Sequence, residues 1–168
     1  MNLTYKNITI RSANAEDAPL LAHWWNDGSV MAHAGFPDGL GITAEEVASE
    51  LSPGNLILLW DSTPIGEMNY RNAGTNAAEI GIKICKADYQ NRGIGKMALS
   101  MLIQALYSMG YTRILLDTNL KNIRAQHVYE SLGFQKLRVN MDSWQDQLGR
   151  WQSSVDYALT PDGFIRAL

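Results

Sequence analysis

Cysteine occurs once in this chain of 168 residues, at Cys85, so no internal disulfide can form and a reducing compartment is the natural setting. No segment carries an apolar run long enough to cross a bilayer. The start, Met1-Asn-Leu-Thr-Tyr-Lys6, has no apolar signal core, so a cytoplasmic location is expected and a membrane is not an expected partner. Charge of one sign is missing too. The 14 Lys and Arg stand against 17 Asp and Glu, a net charge of −3, and the basic residues form no stripe, so nucleic acid is not expected. His23, His33 and His127 have no ligand spacing, which leaves no reason to expect a metal. No Ser-His-Asp or Cys-His arrangement points to a covalent nucleophile. Repeats, linkers and low-complexity stretches are absent as well, and residues 1–168 are expected to form one domain whose 46% apolar residues supply a core.

What is present is strong periodicity. Asn7 to Ser12 reads as a first strand with Ile8 and Ile10 on one face. Asn14, with Asp17 three residues on, caps a predicted helix carrying Leu21, Trp24 and Trp25. Gly28 to Gly41 reads as a long loop. Thr43-x-x-Glu46 is a capping box that opens a second short helix through Leu51. Asn55 to Trp60, Ile65 to Arg71 and Ala78 to Cys85 read as an antiparallel meander. Ile94, Met97, Ala98, Met101, Leu102, Ala105, Leu106 and Met109 form a one-sided helical stripe, best read as core, and Gly110 ends it. A strand from Tyr111 to Thr118, a helix from Asn122 to Leu132 and two strands between Gln135 and Leu159 complete the pattern. The predicted string is β-α-α-β-β-β-α-β-α-β-β, an α/β (α+β) layer fold with a mixed sheet.

The stretch Gln90-Asn91-Arg92-Gly93-Ile94-Gly95-Lys96 stands between a strand and that long helix. Glycines there let backbone approach a ligand, and the first helical N–H groups, with the helix dipole, favour an anion. Arg92 and Lys96 add two cations. A nucleotide P-loop fails on spacing, and Met97 stands where Ser or Thr would hold magnesium. Gly93-x-Gly95-x-x-Ala98 satisfies a dinucleotide fingerprint, with Asp117 near the expected ribose-binding acid. Lys86 to Arg92 nevertheless separate strand from glycines, and only one βαβ unit is visible.

The third reading rests on two motifs. Gln90-x-x-Gly93-x-Gly95 resembles the Q/R-x-x-G-x-G/A loop of the GNAT superfamily of acyl-CoA-dependent N-acyltransferases. Asn122-x-x-Ala125-x-x-x-Tyr129-x-x-x-Gly133-Phe134 resembles that superfamily's second conserved segment. The resemblance runs from Ile8 to about Leu159 and implies a GNAT-like, mostly antiparallel sheet flanked by helices. It also implies acetyl-CoA as cosubstrate, with coenzyme A as product, and transfer to a primary amine of a small molecule or peptide. Trp24-Trp25-Asn26-Asp27 resembles the branch of ribosomal-protein N-terminal, polyamine and aminoglycoside acetyltransferases. A non-catalytic acyl-CoA-binding module is the alternative on the same fold. Either a monomer or a homodimer is compatible with it.

Transfer from a thioester to an amine has three demands. The ammonium, with a pKa of about 10, must lose a proton; the developing oxyanion needs a donor; and the leaving thiolate needs a proton. By the resemblance, Tyr129 is the acid and Glu79 the base, with Glu67 the second carboxylate, for proton transfer or for binding a cationic substrate. Ile82 and Ile84 would offer backbone to the pantetheine arm. Gln90, Asn91, Arg92, Gly93, Ile94, Gly95 and Lys96 would form the pyrophosphate loop. Asn122 would bond the pantetheine amide as well as cap its helix, and Arg124 would reach a phosphate. Trp25, His33, Phe36 and Trp144 would frame the acceptor, with the aromatics as a cation–π wall. Cys85 reads as an inert apolar residue.

Overall fold

A computed structural model describes residues 1–168. In chain order it holds β1 (Asn2–Tyr5), β2 (Ile8–Ser12), α1 (Ala18–Trp25), α2 (Gly28–Met31), α3 (Ala44–Glu50), β3 (Asn55–Trp60), β4 (Thr63–Asn72) and β5 (Ala77–Ile84). Then come α4 (Ile94–Ser108), β6 (Arg113–Asn119), α5 (Ile123–Ser131), β7 (Gln135–Gln145) and β8 (Trp151–Leu159). All eight strands form one sheet in the order β1-β2-β3-β4-β5-β6-β8-β7. Neighbours are antiparallel except β5 and β6, which the α4 crossover makes parallel.

The two-residue period sorts side chains onto two faces. Ile8, Ile10, Leu56, Leu58, Met68, Ile80, Ile114, Leu116, Val155 and Tyr157 point to one face, where Ala98, Leu102 and Leu106 of α4, Tyr129 of α5 and Leu132 just after it bury them. Ile57 and Leu59 point the other way, under Leu21, Ala22 and Trp24 of α1 and Val47 of α3. The all-apolar run of β3 is thus explained by helices on both sides.

The order of elements follows the predicted string with two additions. A first strand, β1, precedes β2 and pairs with it from Asn2↔Arg11 to Tyr5↔Ile8. It escapes a periodicity reading because it is four residues long, and its turn uses Lys6 at φ 51 rather than a glycine. The Gly28–Gly41 segment is not all loop. Asp27 caps the single turn of α2, accepting from Ser29 N at 2.9 Å. The Thr43 and Glu46 capping box forms as the sequence predicts.

One break in the sheet creates a gap at its centre. β4 and β5 stay paired over seven positions, from Gly66↔Ile84 to Asn72↔Ala78. β5 and β6 pair over three, Ala77↔Arg113 to Glu79↔Leu115. Past Glu79 and Leu115 the strands part. β5 follows β4 to Ile84, while β6 follows β8 to Asn119↔Ser154. The sheet therefore has an opening between residues 80–84 and 116–119.

Candidate active site

The β5 side of the opening is built mostly of backbone. A Cβ on Gly95 would lie 3.4 Å from Ile84 Cδ1 and 3.8 Å from Ile82 Cδ1, so the missing side chain lets the first turn of α4 settle against the end of β5. The loop ahead of it turns through left-handed backbone at Asn91 (φ 58) and Gly93 (φ 75). Gln90 Nε2 donates to Ile84 O at 2.9 Å and fastens the loop to the strand. Gly93 occupies the N-cap position of α4, no side chain caps this helix, and a Cβ at Gly93 would meet nothing within 4 Å. The first N–H groups of α4 are therefore available to an anion. The guanidinium of Arg92 lies 5.5 Å from the Trp60 ring centroid and 5.4 Å from that of Tyr89, while Lys96 sits half-buried on the first turn. This donor set fits the pyrophosphate of an acyl-CoA. Trp60 and Tyr89, which hold Arg92, were not singled out from the sequence; only their aromatic character signalled them.

The β6 side is built of side chains. Asn122 accepts from Ala125 N at 3.2 Å and caps α5, and Arg124 is exposed on its first turn. Tyr129 is 8% exposed and packs edge-on against Phe134 at 5.9 Å and Tyr157 at 5.8 Å. The Tyr157 hydroxyl donates to Glu130 Oε1 at 3.0 Å. The Tyr129 hydroxyl has no protein partner. The buried polar side-chain atom left unpaired in this fold is the Tyr107 hydroxyl, so the tip of Tyr129 reaches the accessible surface. Burial first, then the charge of Asp117, pushes the Tyr129 phenol up to about 12. It is thus a proton-loaded donor at neutral pH.

On the α1/α3 face, Arg71 Nη2 donates to both oxygens of Glu79, at 2.8 and 2.9 Å, so accepting an amine proton there requires loosening that pair. Glu67, 7% exposed, accepts from Trp25 Nε1 at 2.9 Å and pairs with Lys83 Nζ at 3.3 Å. The structure thus joins Glu67 and Trp25, two residues expected to face the acceptor, in one network, with the carboxylate already partnered. Trp144 lies against Gly35, where a side chain would collide with its ring. Gln147 holds the same loop, its N donating to Gly35 O and its Nε2 to Gly39 O, both at 2.8 Å. The β7–β8 turn and the loop after α2 therefore meet, with Phe36 37% exposed and His33 exposed beside them. Burial, then Glu67, pushes the Cys85 thiol up to about 12, which makes it a poor nucleophile.

Asp117, named above only as a ribose-binding acid, lies exposed on β6 two residues past the last β5–β6 pair. It follows Ile114-Leu-Leu116, a carboxylate closing an apolar run. A concavity of about 680 Å³ lies away from the opening, between β1 and the C-terminal half of α4, lined by Leu3, Tyr5, Met101 and Met109. None of the residues bordering the opening lines it.

A family model described as an acetyltransferase (GNAT) domain matches residues 7–135. The chain belongs to the GNAT acetyltransferase family. It is similar to a ribosomal-protein-alanine N-acetyltransferase of Salmonella typhimurium, 34% identical over 62 residues, 37% of this chain and 42% of that one. An uncharacterized protein of Methanocaldococcus jannaschii is 31% identical over 91 residues, 52% of this chain and 19% of that protein. The chain thus spans less than half the length of these two curated relatives. Among solved structures, a ribosomal-protein alpha-N-acetyltransferase in complex with coenzyme A has a TM-score of 0.84 at 15% identity, covering 97% of this chain and 99% of that one. An acetyltransferase of Salmonella typhimurium with acetyl-CoA has 0.73 at 17%, covering 92% and 94%. These two likenesses establish the shared mixed α/β fold.

Proposed function

We propose that this chain is a cytoplasmic, acetyl-CoA-dependent N-acetyltransferase that moves an acetyl group to a primary amine by direct attack in a ternary complex. The observation that carries this reading is the opening between β5 and β6, with an uncapped helix start on one side and the free hydroxyl of Tyr129 on the other. The N–H groups of Gly93, Ile94, Gly95 and Lys96, with Arg92, would hold the pyrophosphate, and Gln90 and Asn91 shape that loop. The backbone of Ile82 and Ile84, unpaired on the β6 side, would run beside the pantetheine arm, and Asn122 would face it from across the opening. Arg124 would meet a further phosphate. Acetyl-CoA supplies an activated thioester; Tyr129 gives the leaving sulfur its proton. In this reading the site is one unit within a single domain spanning residues 1–168.

The acceptor is an amine of a small molecule or a peptide N-terminus. Relatives named for acetylating ribosomal proteins favour the peptide. It would enter on the α1/α3 face, where Trp25, Phe36, His33 and Trp144 border the approach and Glu67 keeps Trp25 in place. Two measurements test the reading. Coenzyme A should raise the melting temperature and NAD should not, because a ligand bound only by the native state stabilises it. A panel of N-terminal peptides, polyamines, aminoglycosides and amino acids with acetyl-CoA should release free thiol with at least one class. Coenzyme A binding without thiol release on any amine would instead make this an acyl-CoA-binding module.

A further inference from the structure

The segment Gly28–Gly41, which carries His33 and Phe36, is held by two side-chain amides. At its root Asn26 brackets Ile42, its Nδ2 donating to Ile42 O and its Oδ1 accepting from Ile42 N, both at 2.8 Å. At its tip a second amide does the same from the far end of the chain. Gln147, on the β7–β8 turn, accepts from Asp38 N through Oε1 at 2.9 Å and donates from Nε2 to Gly39 O at 2.8 Å. Its backbone N donates to Gly35 O at 2.8 Å. These three bonds, all from Gln147, are the hydrogen bonds that join the segment to the turn. A primary amide presents a donor and an acceptor side by side, as a peptide group does. Gln147 therefore pairs with the loop backbone as a piece of strand would, at a sequence separation of 108.

The surroundings of the clasp are fitted closely. A Cβ on Gly28 would lie 1.9 Å from Pro37 O, and one on Gly39 would lie 2.1 Å from Asn26 O, so the two limbs of the segment lie against each other. The turn that offers Gln147 is itself fixed. Asp146, 8% exposed, accepts from Leu148 N and Arg150 N at 2.9 Å, from Arg150 Nε at 2.8 Å and from Gln152 Nε2 at 3.1 Å. Gln147 is exposed, so its own bonds compete with water. We propose that Gln147 is a positioning residue for acetyl transfer: by clasping the tip from Gly35 to Gly39 it holds the loop of His33 and Phe36 beside Trp144, and so sets the affinity for the acceptor amine. This rests on the reading above, in which the amine enters on the α1/α3 face.

The clasp acts on binding and leaves the chemistry alone. None of its hydrogen bonds reaches Tyr129 or the Gln90–Lys96 loop. Without it the tip samples further conformations, and only a fraction of them present the acceptor surface. The apparent affinity for the amine falls by that fraction, while an amine once bound meets the same thioester. Two side-chain hydrogen bonds of ordinary net strength bias such an equilibrium by about tenfold. The signature is therefore a raised KM for the amine, with kcat and coenzyme A affinity kept. A residue that only supported the fold would lower the melting temperature and leave the amine KM as it was.

The test has two arms. In the first, acetyl transfer at saturating acetyl-CoA is followed by thiol release, with a peptide bearing a free N-terminal alanine and with spermidine. Gln147→Ala should raise the KM of the accepted amine about tenfold, with kcat within about twofold of wild type and the coenzyme A melting shift unchanged. Gln147→Glu keeps the shape but cannot donate to Gly39 O, so its KM should rise as well. Gln145→Ala is the control: it removes a bond within the turn, from Nε2 to Gly149 O at 3.3 Å, and none to the loop, so its KM should match wild type. An unchanged KM in Gln147→Ala, or an equal rise in Gln145→Ala, overturns the proposal. The second arm needs no turnover. The Asp38 amide, which donates to Gln147 Oε1, should exchange with solvent several-fold faster in Gln147→Ala, read by NMR. Unchanged exchange overturns the clasp, and faster exchange with an unchanged amine KM overturns its positioning role. If the wild type binds coenzyme A but acetylates no amine, the transferase reading fails, and the exchange rates still decide whether Gln147 holds the loop.

Discussion

The two lips of the opening are made of different material. On the β5 side, contact with a ligand would fall to backbone: the first amides of α4, left uncapped beside Gly93, and the stretch of Ile82 and Ile84 that β6 does not pair. On the β6 side it would fall to side chains, Tyr129 and Asn122 among them. Even the helix starts differ. The start of α4 is open, while that of α5 is closed by Asn122 accepting from Ala125 N. A backbone lip recognises what every acyl-CoA has in common and tolerates sequence change. A side-chain lip that carries proton transfer would depend on single atoms. The comparison therefore predicts that lesions on the β6 lip cut kcat and lesions on the β5 lip cut cofactor affinity.

The sharpest way to break that division is Tyr129→Phe. It deletes one hydroxyl and keeps the ring edge-on against Phe134 and Tyr157, so the fold should hold. Loss of the acid should lower kcat about 10²-fold or more. The melting shift with coenzyme A should be unaltered, and a lost shift would move Tyr129 to the binding side. Next in size is Gly93→Ala. A Cβ finds open space there, but φ 75 places an L residue in the left-handed region, at a cost of roughly 1–2 kcal/mol. If the loop relaxes to relieve this, the α4 amides shift and the Kd for coenzyme A should rise about tenfold, equivalent to about 1.4 kcal/mol. At saturating acetyl-CoA, kcat should be near normal.

A stability experiment sharpens the contrast from the other side. The raised Asp117 carboxyl means that folding disfavours its charged form. The sign follows: the penalty is present at pH values above the folded carboxyl's value and vanishes below the ordinary carboxylate range, where the group is neutral folded or unfolded. Asp117→Asn should therefore melt higher than wild type at pH 7, with the gain shrinking as pH falls towards 3. A more stable variant would mark a carboxylate held against the fold's preference. An unchanged or lower Tm at pH 7 would mark it as an ordinary surface acid.

The same division explains what could be read from the sequence. The backbone lip was legible because glycine leaves a local signature: Gly93 and Gly95 can be argued from helix starts and close approach alone, and the long α4 stripe fixed the register of the elements after it. The family motif pointed to Tyr129. The surroundings of Asp117 were not legible because they come from strands distant in sequence. Only the sheet puts Asp156 opposite it, parts β5 from β6 just before it, and hands Glu79 to Arg71. Glu67 illustrates the same limit, since its bond to Trp25 spans 42 positions. Short β1 was missed for a local reason, too few apolar residues to set a period.

The smallest expected effects separate the two duties given to Asn122. As a cap it satisfies one amide of α5, and Asn122→Ala should cost about 1 kcal/mol and lower the melting temperature by a few degrees. As a cofactor contact it would use its side-chain N–H, which capping leaves free. Asn122→Asp tells these apart. A carboxylate caps as well as an amide, and the helix dipole welcomes negative charge at this end, so the melting temperature should return to the wild-type value. The carboxylate cannot donate, however, and it would stand on the lip facing the pantetheine arm. If Asn122 serves both duties, coenzyme A affinity should stay several-fold lower in Asn122→Asp despite the restored stability. If affinity recovers along with the melting temperature, Asn122 is a cap alone, and the side-chain lip reduces to Tyr129.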